Sequence, residues 1–217
     1  MQDIVRQNGG LANILFGGPK SSDPCTENDA GPGPGSSSGR INCGKLRSGG
    51  PVLAMLQIRA ATIADATLLR TMIRELAEFE RELEMVTILE EDLARDGFGE
   101  NPRFCALIAE WDGEPAGYAL FFPTFSTWVG RGLFLEDLFV REPFRGKGIG
   151  RALLTRVARV AVDEKCVGMR WEVLHWNEPA IELYRALGAE FQDQWRPVIL
   201  TGQSLLQLAG KSSEVLK

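Results

Sequence analysis

Histidine is almost missing from this chain of 217 residues; His175 is the only one. The four cysteines, Cys25, Cys43, Cys105 and Cys166, show neither C-x-x-C spacing nor a histidine partner. A structural zinc site needs four such ligands at short spacings, so no metal is expected. Long apolar runs are also missing, since no stretch reaches the ~20 apolar residues that cross a bilayer. Positive charge is in deficit, with a net charge of −5, so no basic face for nucleic acid is expected. The beginning lacks the basic start, apolar block and small-residue cleavage site of a signal peptide. The expectation is a cytoplasmic protein with no nucleic-acid and no membrane partner.

The first 54 residues differ from the rest. Gly, Pro and Ser fill 22 of them, with almost no periodic apolar pattern. Such a segment cannot bury enough surface to offset its chain entropy, so 1–54 reads as a disordered extension. Met55 opens Met-Leu-Gln-Ile-Arg-Ala-Ala-Thr, a typical first strand. Two readings stay open: 1–54 belongs to the native protein, or it lies upstream of a true start at Met55. Residues 55–217 form the expected domain, 44% of the whole chain being hydrophobic.

Glycine carries the most informative pattern. Gly146, Gly148 and Gly150 follow the apolar run Leu133–Val140 and precede a long amphipathic stretch. Glycines let backbone N–H groups close on a phosphate, and a helix N-terminus adds partial positive charge. The pattern reads as a site for a phosphorylated cofactor. The dinucleotide spacing G-x-G-x-x-G fails, because Arg151 stands at the third place. The Walker spacing also fails, because Arg141 holds its first glycine place and Gly148 its Ser or Thr place.

Periodicity and caps predict the elements. A strand covers about 56–59, and Thr62 caps a helix to about Arg81. A second helix starts at Thr87, with Glu90 completing a capping box, and stops at Gly97 and Gly99. Strands at 104–111 and 114–122 flank Asp112-Gly113, a hairpin signal. Then come a strand at 133–140, a helix at 150–165, a strand at 168–175, a helix at 178–187 and a strand at 195–201. Asn177 is placed to cap the 178–187 helix, and Gly188 to stop it. Alternating strands and helices with one hairpin predict an α/β fold around a mixed sheet.

Strand, Arg145-x-x-Gly148-x-Gly150 loop, helix, strand, then Asn177-x-x-Ala180-x-x-Leu183-Tyr184-x-x-x-Gly188 resembles the GNAT acyltransferase superfamily in order and spacing. The resemblance spans about 57–208. Within the superfamily it is nearest to the diamine (spermidine/spermine) and thialysine acetyltransferases. The stretches that carry it are Arg74–Glu80, Asp96–Glu100, Trp128–Gly130, Leu135–Val140 and Trp176–Pro179. It implies a GNAT fold, with a central mixed sheet of about six to seven strands flanked by helices, and acetyl-coenzyme A as co-substrate.

The resemblance also implies roles. Arg145, Gly146, Lys147, Gly148, Ile149, Gly150 and Arg151 would take the pyrophosphate. Leu138, Phe139 and Val140 would lend backbone groups to the pantetheine arm, beside a slot that relatives open with a strand bulge, and Asn177 would add a cofactor contact. Tyr184 would be the general acid for the leaving thiol; a phenol with a reference pKa near 10 is protonated at neutral pH. Glu136 and Asp137 are adjacent, so on a regular strand only one faces the cleft. The resemblance favours Glu136 as the carboxylate that attracts the amine and accepts its proton, with Asp137 structural. Phe79, Glu80, Trp128 and Trp195 match substrate-cleft positions.

His175 stands where relatives often carry an acid, and the acidic loop after the last helix is shorter. That favours a diamine or lysine analogue over a longer polyamine. The leading function is therefore transfer of acetyl to a primary amine of a small molecule, by direct attack in a ternary complex. The alternatives are a non-catalytic acyl-coenzyme A sensor and a protein or peptide acetyltransferase. The relatives pair, so a homodimer is expected. Phe121, Phe122, Phe125 and Trp128, clustered at one strand end, agree with that.

Overall fold

The computed structural model describes residues 56–211, which fall into two compact units, 56–171 and 172–211. The reading of 1–54 as a disordered extension and the choice of Met55 as a start lie outside the described residues.

In the first unit, five strands form one sheet in the order β1 (Leu56–Ala60), β2 (Cys105–Trp111), β3 (Glu114–Ser126), β4 (Gly130–Val140) and β5 (Met169–Arg170). The first three pairings are antiparallel, and β4 with β5 is parallel. The sheet is mixed, as the sequence predicts. Its five strands, among the described residues, fall short of the expected six to seven. The β2–β3 turn is the Asp112-Gly113 pair, both left-handed with φ of 52° and 83°, which matches the twist of the flanking strands.

Helices α1 (Ala66–Glu80), α2 (Glu90–Phe98) and α3 (Ile149–Asp163) complete this unit. Leu69 and Met72 of α1 and Leu93 of α2 pack with Ala106, Ile108, Tyr118, Leu120 and Phe139 of the sheet. Residues two apart on a strand share a face, so these mark the face that α1 and α2 cover. Helix α3 runs along β2, β3 and β4 and buries Ile149, Leu153, Leu154, Val157 and Val160.

Thr62 caps a short 3-10 turn at Ile63–Asp65, and Asp65 in turn takes the N-cap place of the first α-helix. The Asp65 carboxylate accepts from the Thr62 N–H at 2.8 Å and from its hydroxyl at 2.9 Å. Arg59 of β1 donates two bonds to the same carboxylate and a third, at 2.8 Å, to Glu110 of β2. The arginine holds the Asp65 carboxyl down to about 2, well below its usual range. Its folded value is depressed, so its stabilisation is present above pH ~4 and is lost as pH falls through 2. The second helix starts at Glu90 rather than Thr87. Asp92, not Glu90, supplies the reaching carboxylate, accepting from the Leu89 N–H at 3.1 Å.

The second unit holds α4 (Glu178–Ala186) and α5 (Gly202–Leu208). The expected strand at 168–175 shortens to β5, and the expected strand at 195–201 is irregular chain. Among the described residues, no helix is long and apolar enough to cross a membrane.

Candidate active site

The last residues of β4, Leu138–Val140, lead through a short 3-10 turn at Glu142–Phe144 into the glycine loop. Gly146 and Gly148 are left-handed, with φ of 75° and 79°, and a Cβ at either would meet nothing within 4 Å. These positions therefore need glycine for backbone conformation, and the space in front of them is open. Gly148 caps α3, whose first N–H groups have no partner within the helix. An anion fits that arrangement: open space, free donors and the positive end of a helix dipole.

Side chains brace the loop from behind. The Arg145 Nε donates to the Val140 carbonyl at 3.0 Å, and its guanidinium lies 4.8 Å from the Phe79 ring centre. The Lys147 ammonium sits 4.9 Å from the Trp111 ring and 5.3 Å from that of Phe144. Arg141 grips both oxygens of Glu75, at 2.7 and 2.8 Å, and donates to the Pro115 carbonyl at 2.9 Å. That pair ties α1 to the end of β4. A cleft of about 550 Å³ opens here, lined by Glu75, Glu78, Phe79, Phe139, Arg141, Glu142, Pro143 and Arg145. One expected substrate residue, Phe79, thus shares a cleft with two expected cofactor residues, Phe139 and Arg145.

Strand β4 carries a bulge that the sequence leaves unproven. Leu120 pairs with Asp137 and Phe121 with Leu135, so Glu136 is the extra residue opposite neither. Leu135 and Asp137, two apart, therefore lie on opposite faces of the sheet. The β4–β5 ladder also stops, after Leu133 with Met169 and Phe134 with Arg170. From Leu135 onward, β4 is laddered to β3 alone among the described residues, which leaves backbone groups for an extended arm to pair with.

The bulge sorts the two carboxylates. Glu136 is exposed. Asp137 is carried to the α1 face, where the Tyr118 phenol donates to it at 2.9 Å. Desolvation pushes the Asp137 carboxyl up to about 6, against the Tyr118 bond, which pulls it down. Glu80, at the end of α1, is also raised by burial and by the negative charges of Asp137 and Glu82. Glu80 and Asp137 therefore sense one another, a pairing the spacing alone does not show. Sequence reasoning passed over Tyr118. The available signal was one hydroxyl in the otherwise apolar stretch 116–122.

Trp128 lies in the β3–β4 turn, 65% exposed, roughly 20 Å along β4 from Glu136 at strand rise. Of the four aromatics expected to form one surface, Phe121 is fully buried, and Phe122 stacks on Phe134 at 5.4 Å. Phe125, at 68%, and Trp128 remain in solvent.

In the second unit, Asn177 takes the N-cap place of α4 without a side-chain capping bond, and Pro179 sits in the first turn. Gly188, at φ 80°, ends the helix. The Ala189 N–H reaches the Tyr184 carbonyl at 3.0 Å and the Gly188 N–H reaches that of Arg185 at 3.0 Å, the double bond pattern of a glycine stop. Tyr184 is buried, and desolvation raises its phenol above the usual 10. Trp195 stands in irregular chain, 45% exposed.

Comparison with known proteins places this geometry. The model of the acetyltransferase (GNAT) family matches residues 68–189. The chain is 42% identical over 170 residues to a thialysine N-epsilon-acetyltransferase of Sus scrofa, covering 73% of this chain and 100% of that one. It is 34% identical over 163 residues to spermidine/spermine N(1)-acetyltransferase-like protein 1 of Homo sapiens, covering 70% of this chain and 24% of the other. A solved aminoglycoside N-acetyltransferase in complex with CoA shares the fold, with a TM-score of 0.55 and 20% identity, over 70% of this chain and 98% of that one.

Proposed function

We propose, from the premise that the chain belongs to the acetyltransferase (GNAT) family, that it acetylates a primary amine of a small molecule, of the diamine or lysine-analogue type. Membership makes it an N-acetyltransferase. The reading of its substrate is carried by the match over the full length of a thialysine enzyme. Two desolvated carboxylates, Glu80 and Asp137, agree with a cationic substrate.

Acetyl-coenzyme A, as acyl donor, supplies the thioester. The open space before Gly146 and Gly148 suits its pyrophosphate, flanked by Arg145, Lys147 and Arg151. Ile149 and Gly150 open the helix whose N–H groups face it, and Asn177 is assigned a further contact. The part of β4 that pairs with β3 alone, Leu138–Val140, suits the pantetheine arm. Glu136, exposed on the bulge, is assigned as the carboxylate that takes the amine proton through water. Tyr184 is assigned as the acid that protonates the leaving sulfur, in direct transfer within a ternary complex. Phe79 and Glu80 are assigned to the amine, with Trp128 and Trp195 as aromatic walls against which a cation could rest.

We assign the protein to the cytoplasm and to a homodimer, the latter supported by Phe125 and Trp128 at the exposed hairpin tip. One experiment tests the reading. Coenzyme A release is measured against diamines, polyamines, lysine analogues and peptides, with light scattering on the same sample. Turnover of a diamine or lysine analogue at least tenfold above the peptides, by a dimer, is expected. Preference for peptides would overturn the substrate, and a strict monomer would overturn the dimer.

A further inference from the structure

Tyr118 is a buried hydroxyl that the proposed chemistry leaves unused. Its side chain is completely buried in the middle of β3, within the face that α1 and α2 cover. Burying a hydroxyl is costly unless it finds a partner, and this one finds a single carboxylate oxygen, Asp137 Oδ2, at 2.9 Å. The strand register explains the meeting. Tyr118 lies opposite Phe139, two residues beyond Asp137 on the same face. Only the extra residue at Glu136 places Asp137 on that face while Leu135 stays on the other.

The ring is held on its own account. It packs against Phe139, with ring centres 6.2 Å apart, within the apolar group that includes Leu69, Met72 and Leu93. The phenol is thus a rigid donor with one direction to point. Among the described residues, Tyr118 of β3 donates to Asp137, the charge of Asp137 acts on Glu80 of α1, and Glu136, next along β4, acts on the Tyr118 phenol. The side-chain hydrogen bond that favours the charged form of Asp137, among the described residues, comes from Tyr118.

We propose that Tyr118 is a positioning residue for the amine site, its phenol fixing the Asp137 carboxylate beside Glu80 in ionised form, so that the two acids together receive an ammonium group of the substrate. This rests on the reading of the protein as a small-amine acetyltransferase. Tyr118 touches no substrate; it acts through Asp137. With the phenol in place, Asp137 loses its proton around pH 6 and is charged at neutral pH. Without it, the value moves higher, because a bond that favours the charged form is gone. The neutral acid then attracts an ammonium less well.

The test is Tyr118→Phe, which keeps the ring and removes only the hydroxyl. Carboxyl carbon-13 NMR, with the Asp137 signal assigned through Asp137→Asn, follows the titration directly. The expected midpoint is near 6 in the wild type and at least about half a pH unit higher in the variant. In turnover at pH ~5 to 6, the KM for the amine rises at least about two- to threefold, following the smaller ionised fraction of Asp137. The KM for acetyl-coenzyme A and kcat at saturating amine stay within about twofold. The acid limb of kcat/KM moves to higher pH, and the double variant with Asp137→Asn is no worse than Asp137→Asn alone.

A purely structural tyrosine would lower the melting temperature and leave midpoint, acid limb and amine KM unmoved; that result overturns the proposal. Effects of the two substitutions that simply add would overturn it as well. A wild-type protein inert toward every amine would overturn the reading beneath the proposal, and is distinguishable from a midpoint that fails to move.

Discussion

Replacing Tyr184 with phenylalanine is expected to lower kcat by about 10²- to 10⁴-fold, the usual span for a positioned general acid. Binding of acetyl-coenzyme A is expected to change little, because the ring stays and only an oxygen is lost. The local structure supports a clean test. The helix stop after α4 uses the Tyr184 carbonyl, which accepts from the Leu187 and Ala189 N–H groups, and a side-chain change leaves it intact. Burial raises the phenol above its ordinary value, so it remains protonated throughout neutral pH and has a proton to give. The basic limb of the wild-type pH profile should therefore fall above pH 10 if this phenol sets it. The measurement is steady-state turnover at saturating amine, with calorimetry for the cofactor. A kcat within twofold of wild type would make Tyr184 a packing residue and remove the acid from the mechanism.

The parts of the fold legible in the sequence are those written in residues with special backbone needs. Asp112-Gly113 marked a hairpin turn, Gly146 and Gly148 a left-handed loop, and Gly188 a helix stop. Each depends on a few adjacent residues, so spacing alone finds it. The bulge at Glu136 is different. It is defined by register against β3, and nothing in the run Leu135–Val140 says which residue is the extra one in that register. Alternation alone says only that one of Glu136 and Asp137 faces the cleft; the bulge, which register alone reveals, carries Asp137 to the α1 face beside Tyr118.

The final stretch shows the opposite failure. Val198, Ile199 and Leu200 have the composition of a strand. A strand exists only where another strand offers a ladder, and among the described residues none pairs with it. These side chains stand 81%, 38% and 45% exposed. Helix α5 leaves no such signal, because Gly202–Leu208 is only seven residues long, too short for a clear period.

Replacing Gly148 with glutamate is expected to abolish measurable binding of acetyl-coenzyme A. Two effects act together. Glycine at φ 79° is replaced by a residue that rarely adopts the left-handed region, at a local cost of about 1–2 kcal/mol. A carboxylate also enters the open space assigned to the pyrophosphate, at the head of α3. There it would repel the ligand and compete for the same N–H donors. The fold should survive, since a Cβ at this position meets nothing within 4 Å. Gly148→Asn separates the two effects, because asparagine tolerates the left-handed region and adds no charge. The asparagine variant should bind more weakly than wild type, yet clearly better than the glutamate one. Calorimetry on variants whose melting curves remain cooperative reads the difference. Wild-type affinity in a folded Gly148→Glu protein would move the cofactor away from this loop, and with it the assignments of Arg145, Lys147 and Arg151.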